Sequence, residues 1–97
     1  IIPISPMQIV RIFTEGTRVF AETTDLCVVL KYRLYELEML LHEPFFLRIS
    51  HSEIVNFKQV KSMDMSMAGT ISLLLTNGKK SYVSRRYVAK IKSFLGL

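Results

Sequence analysis

Tryptophan is absent from this chain of 97 residues, and cysteine occurs once. A single thiol excludes an internal disulfide framework, and with it the small secreted folds that depend on one. The expected setting is a reducing, cytoplasmic one. Cys27 lies in the apolar run "DLCVVL", where a free cysteine is expected to be a buried, inert thiol. Long apolar runs are missing too. None approaches the roughly 18 residues that a membrane span needs, and no secretory signal pattern is visible, so no membrane insertion is expected of this segment.

Other absences narrow the chemistry. His42, His51 and Cys27 are scattered, with neither C-x-x-C nor H-x-x-x-H spacing to offer a metal its ligands. No G-x-S-x-G elbow presents a nucleophile. Glycine-rich phosphate loops of the Walker or dinucleotide type are missing as well. The expectation is therefore no metal, no cofactor and no enzyme.

What is present is apolar and basic. Hydrophobic residues make up 49% of the chain, which argues against disorder. Thirteen Lys and Arg against eight acids leave a formal charge of +5, with a pI near 9.6. That balance favours nucleic acid or another anionic partner. The length suits one domain with a modest core. The chain begins at Ile1, inside "IIPISPMQIV", which reads as strand and turn. Residues 1–97 are therefore expected to be a single excised domain that lacks its N-terminal strand or an upstream segment, such as a receiver or a dimerising element.

Periodicity indicates a mainly β fold, with antiparallel sheets of short strands and two short helices. Pro3 and Pro6 bracket a turn. "MQIVRIF" reads as a strand ending at the loop Glu15-Gly16-Thr17, and "RVFAET" and "LCVVLKY" form a hairpin about Thr24 and Asp25. The period then changes: Leu30, Leu34, Leu37 and Leu41 recur at helical spacing until His42-Glu43-Pro44 stops the helix. Strands resume in "FFLRI", "EIVNF" and "QVKSM". Met63, Met65 and Met67 alternate with polar residues, which would line the core side of a strand. Asn77-Gly78 predicts a type I′ hairpin. Ser84 is placed to cap a last helix carrying Val88, Ile91 and Leu95, with Gly96 as its stop.

Two stretches carry more polar chemistry than a fold needs. In "FFLRISHSEIVNFKQV", Ser50-His51-Ser52 forms a compact polar loop with Arg48 beside it. These side chains suit phosphates and base edges, whereas an ordinary turn more often uses Gly, Asn or Pro. Asn56 has a structural explanation as a turn or bulge residue. In "VSRRYVAKIK", Arg85 and Arg86 occupy the first turn of the last helix, where the helix dipole disfavours cations. Two readings follow from the spacing: an anion site built from guanidiniums and free amides, or arginines that face solvent or pair with surface acids. Lys79 and Lys80 form either a solvated hairpin tip or further phosphate contacts.

Together these stretches resemble the LytTR-type DNA-binding domains, output modules of many bacterial response regulators. The likeness rests on "FFLRISHSEIVNFKQV", on "NGKKSYVSRRYVAKIKSFL", and on "KYRLYELEMLL" ahead of them, and covers almost the whole chain. It implies antiparallel sheets with short helices, and sequence-specific binding to promoter direct repeats through loops entering successive major grooves. By motif match, His51 and Arg86 fall at base-reading positions, with Ser52 and Arg85 beside them as backbone contacts. Ser50 and Arg48 belong to the first of these loops. Lys90, one helical turn beyond Arg86, is within reach of phosphate. A third loop carries Thr17 and Arg18. His51 departs from the lysine, arginine or asparagine common in relatives, so base preference at that step is its own. The implied partner is double-stranded DNA, with a homodimer on DNA as one arrangement. The rival classes are a β-rich protein-interaction module that adds a partner strand to an open sheet edge, and a single-stranded nucleic-acid binder. The latter needs exposed stacking aromatics, and most Phe and Tyr here are expected on apolar faces.

Overall fold

The computed structural model describes residues 4–97; Pro3 lies outside them. The first ordered feature is a 3-10 turn, Pro6–Gln8, in which the Ser5 hydroxyl accepts from the Met7 amide. The first strand therefore starts later than "MQIVRIF" suggests. The strands are β1 (Arg11–Glu15), β2 (Arg18–Glu22), β3 (Cys27–Leu30), β4 (Phe46–Ser50), β5 (Glu53–Asn56), β6 (Val60–Asp64), β7 (Ile71–Leu75) and β8 (Lys80–Val83). Helix α1 (Leu34–Leu40) separates β3 from β4, and α2 (Arg85–Phe94) follows β8. Pairing is antiparallel throughout, in a five-stranded sheet of order β3-β2-β1-β5-β4 and a three-stranded sheet of order β6-β7-β8.

Period-2 alternation sends neighbouring residues to opposite faces of the larger sheet, and each face has its own core. Ile12, Val19, Ala21 and Ile54 pack with Leu34 and Leu37 of α1. Leu30 joins that core from the end of β3, not from the helix. On the other side, Ile49 and Val55 pack with Ile71, Leu73, Leu75 and Val83 of the smaller sheet and with Val88 and Ile91 of α2. The larger sheet is thus the middle layer. Asn56, fully buried, closes β5: its Nδ2 donates to the Ile9 carbonyl at 2.9 Å and its Oδ1 accepts from the Lys58 amide at 2.9 Å. A buried amide with both ends satisfied is structural.

Three local expectations give way to different geometry. The hairpin at Asn77-Gly78 is not type I′, because no residue other than glycine has positive φ among the described residues. Gly78, at φ 85°, donates to the Leu75 carbonyl, and the Leu75 amide donates to Lys79. This is a three-residue turn ending in a glycine bulge. Met63, Met65 and Met67 are 39, 40 and 71% exposed, so they are not core. β6 is a sheet edge that ends at Asp64, whose Oδ1 accepts from the Ser66 amide and bends the chain out of the strand period. Cys27 is exposed, since alternation along β3 turns Val28 and Leu30 inward and leaves Cys27 and Val29 outward. Most Phe and Tyr are at least partly buried, but Tyr32 before α1, Tyr35 on α1 and Tyr82 on β8 are at least half exposed.

The two sheets are also joined by a polar cluster. Arg11 Nε donates to Glu22 at 2.9 Å and Nη1 to Glu53 at 3.3 Å, with the guanidinium 4.1 Å from the Phe13 ring centre. Glu22 also accepts from Asn77 of the β7–β8 turn at 2.6 Å, and Glu53 from Ser81 of β8 at 2.5 Å. Burial pushes the Glu22 carboxyl up, but the hydrogen bond and charge of Arg11, the Asn77 amide and the charge of Lys79 outweigh it and hold it below the ordinary glutamate range. A depressed folded-state value means that ionised Glu22 adds stability above the unfolded value, and that this is lost as pH falls through the folded one. The urea midpoint should therefore drop on acidification from about pH 5 to about pH 3. Glu22→Gln should be less stable at neutral pH and should show a shallower acid limb. Parallel acid limbs in the two proteins would contradict this role.

Candidate nucleic-acid interface

Three connections meet at one end of the larger sheet. The β1–β2 turn and the β4–β5 turn are neighbours because β1 pairs with β5, Phe13 opposite Glu53, and the Thr14 amide donates to the Ser52 carbonyl at 2.9 Å. The start of α2 is brought there by Ser84, whose amide donates to the Ile49 carbonyl at 2.8 Å and whose hydroxyl donates to the same oxygen at 3.3 Å. Ile49 lies where the β4–β5 register shifts, between Arg48 and Ser50. Such bulges re-aim the backbone at a strand end. Ser84 therefore occupies the N-cap position, but its hydroxyl does not cap the helix as the sequence suggested.

The expected residues divide into exposed and engaged. His51 and Ser52 are exposed in the β4–β5 turn, and no hydrogen bond to the His51 imidazole occurs among the described residues. Ser50, half-buried, orders the turn: its Oγ accepts from the Ser52 amide at 3.2 Å. Arg85, Arg86 and Lys90 are exposed on α2. Among the described residues Arg86 reaches only the face of Tyr87, 5.7 Å from the ring centre, and the first turn of α2 holds no acid. Thr17 and Arg18 are exposed at the β1–β2 turn. Arg48 differs: its guanidinium donates to the carbonyls of Ser50 and His51 and to Glu38 of α1, at 2.8, 2.5 and 2.6 Å.

Lys79 and Lys80 do not join this group. They sit at the opposite end of β8 from Ser84, on the turn bonded to Glu22. The five residue steps from Lys79 to Ser84 span about 16 Å at strand rise. Glu38 and Ser84 were not apparent from sequence as parts of the site, because each acts through a contact with a distant segment. Surface clefts lie elsewhere, one lined by Thr23, Asp25, Leu26 and Gln59 and another by Phe57, Val60, Met63 and Phe94. No cluster of metal-ligating side chains occurs among the described residues.

A mainly β domain with two short helices and basic loops gathered at one end is the class that the fold and this surface define. The family model of the LytTr DNA-binding domain matches residues 1–96, and the chain belongs to that family. It is a family of DNA-binding domains, not of enzymes. A LytTr DNA-binding domain from Bacillus cereus superimposes with a TM-score of 0.93 at 27% identity, over 99% of this chain and 88% of that one. An uncharacterised HTH-type transcriptional regulator of Staphylococcus aureus strain NCTC 8325 is 40% identical over 79 residues, 81% of this chain and 53% of that protein. A similarly named protein of the bovine strain RF122 is 43% identical over 68 residues, 70% of this chain and 46% of its own length. The chain thus spans about half the length of the curated relatives it matches. Among the described residues no two helices follow one another across a short turn, so the helix-turn-helix of those names has no counterpart in them.

Arg85 and Arg86 are cations where the dipole favours anions, and neither has an ion-pair partner among the described residues. Arg86→Glu is therefore expected to stabilise the fold at low salt, by about 0.3–1 kcal/mol. Urea unfolding measures this directly. A loss of stability of that size would mean that Arg86 is held by contacts within the protein.

Proposed function

We propose that this chain is the DNA-binding domain of a cytoplasmic bacterial transcription regulator and recognises double-stranded DNA by sequence. The observation that carries the reading is the meeting of three loops at one end of a rigid sheet, with Arg18, Arg85, Arg86 and Lys90 exposed there. His51 and Arg86 are the base readers. An imidazole offers a donor and an acceptor, and a guanidinium pairs with the O6/N7 edge of guanine. Ser50, Ser52, Thr17, Arg18, Arg85 and Lys90 position the domain on phosphates, which fixes register without reading sequence. A two-stranded turn and a helix start are narrow enough for a major groove about 12 Å wide. On promoter direct repeats the loops enter successive major grooves, with a homodimer on DNA as the simplest arrangement of two copies.

Backbone-dominated affinity is salt-sensitive. With roughly five phosphates neutralised, log K should fall against log salt with a slope of about −4 to −5. A slope near zero, or no duplex binding, would favour the protein-interaction class, for which the open edge strand β3, with Val29 53% exposed, is one available surface. On a duplex selected from a random pool, Arg86→Ala should cost about 1–3 kcal/mol and flatten preference at one base step. Lys79→Ala should leave binding nearly unchanged, because Lys79 lies on the distant turn beside Glu22. Equal losses in the two variants would overturn this placement.

A further inference from the structure

Arg48 is charged and lies on β4 beside the turn proposed to read DNA, yet its side chain is only 12% exposed. It sits on β4 opposite Ile54, on the face of the sheet that α1 covers. Nε donates to the Ser50 carbonyl at 2.8 Å and Nη2 to the His51 carbonyl at 2.5 Å. Those two oxygens are successive along the chain, so one planar guanidinium sets the peptide that carries His51. Nη1 donates to Glu38 Oε1 at 2.6 Å, and Glu38 belongs to α1. A guanidinium is a rigid fork, and anchoring its third corner to α1 fixes the orientation of the other two. To touch a phosphate, Arg48 would have to break charge-assisted bonds that already satisfy it.

We propose that Arg48 is a positioning residue: with Glu38 it fixes the turn that presents His51, so that sequence discrimination depends on a carboxylate of α1 that does not itself touch DNA. The inference rests on the DNA-binding reading and makes a claim opposite in sign to simple electrostatics. Removing an acid near a polyanion should tighten binding to every duplex. Removing a brace should weaken binding only where the turn reads bases.

The wild-type chain, Glu38→Gln and Arg48→Ala are titrated, at several salt concentrations, with a duplex selected by the wild type from a random pool and with an unrelated duplex of equal length. Amide exchange at His51 and Ser52 is measured in each free protein. Glu38→Gln should bind the selected duplex about fivefold to tenfold more weakly, the low end of what one base contact contributes. The unrelated duplex should be bound as well as before or slightly better, with the salt slope unchanged in both variants and faster amide exchange at the turn. Glu38 is a partly exposed surface residue, so its variant keeps the test open even where Arg48→Ala fails to fold. Unchanged or tighter binding of the selected duplex by Glu38→Gln overturns the brace. So does a salt slope shallower by about 0.9 in Arg48→Ala, which marks a phosphate contact. Equal losses on both duplexes also overturn it, because they mark a merely structural role. If the wild type selects no duplex, the DNA-binding reading fails and this inference falls with it.

Discussion

The carbonyl of Ile49 is where the two halves of the molecule are joined at the functional end. Its side chain is fully buried between the larger sheet and α2, and its oxygen receives both the amide and the hydroxyl of Ser84. One residue therefore anchors the tip of β4 in the core and fixes the point at which β8 becomes α2. Burying an isoleucine contributes roughly 2–3 kcal/mol, more than the roughly 0–1 kcal/mol of a typical exposed ion pair. Packing thus sets where the loops lie, and hydrogen bonds adjust their aim.

The middle position of the larger sheet explains why this works. With α1 on one face and the smaller sheet and α2 on the other, β4 and β5 are held from both sides. Their connecting turn has little freedom to drift. The Arg11 cluster ties the β7–β8 turn to Glu22, at the opposite end of β8 from its junction with α2. The exposed polar and basic loops sit at the ends of elements whose middles are buried.

Much of this was legible in the residues. Alternation and turn chemistry located the strands, the leucine spacing located α1, and Pro44 and Gly96 marked where helices stop. The polar loop at Ser50-His51-Ser52 and the misplaced charges of Arg85 and Arg86 stood out because each breaks a local preference. What was not legible depends on which face becomes covered. Period-2 spacing suggests that Met63 and Met65 share a side, but not that β6 ends at Asp64 with its last residues exposed. Likewise, parity along β3 decides whether Cys27 points in or out, and a one-residue shift reverses it. The pairing of Glu38 with Arg48 and of Ser84 with Ile49 joins residues 10 and 35 positions apart, and no local pattern announces such contacts.

The scaffold grips its recognition turn by main-chain oxygens: Ile49, Ser50, His51 and Ser52 all accept through their carbonyls. Every amino acid carries that atom. The side chains at positions 51, 85 and 86 can therefore be exchanged without dismantling the bonds that orient them. If these tips read bases as proposed, single substitutions there change the operator while the fold stays the same.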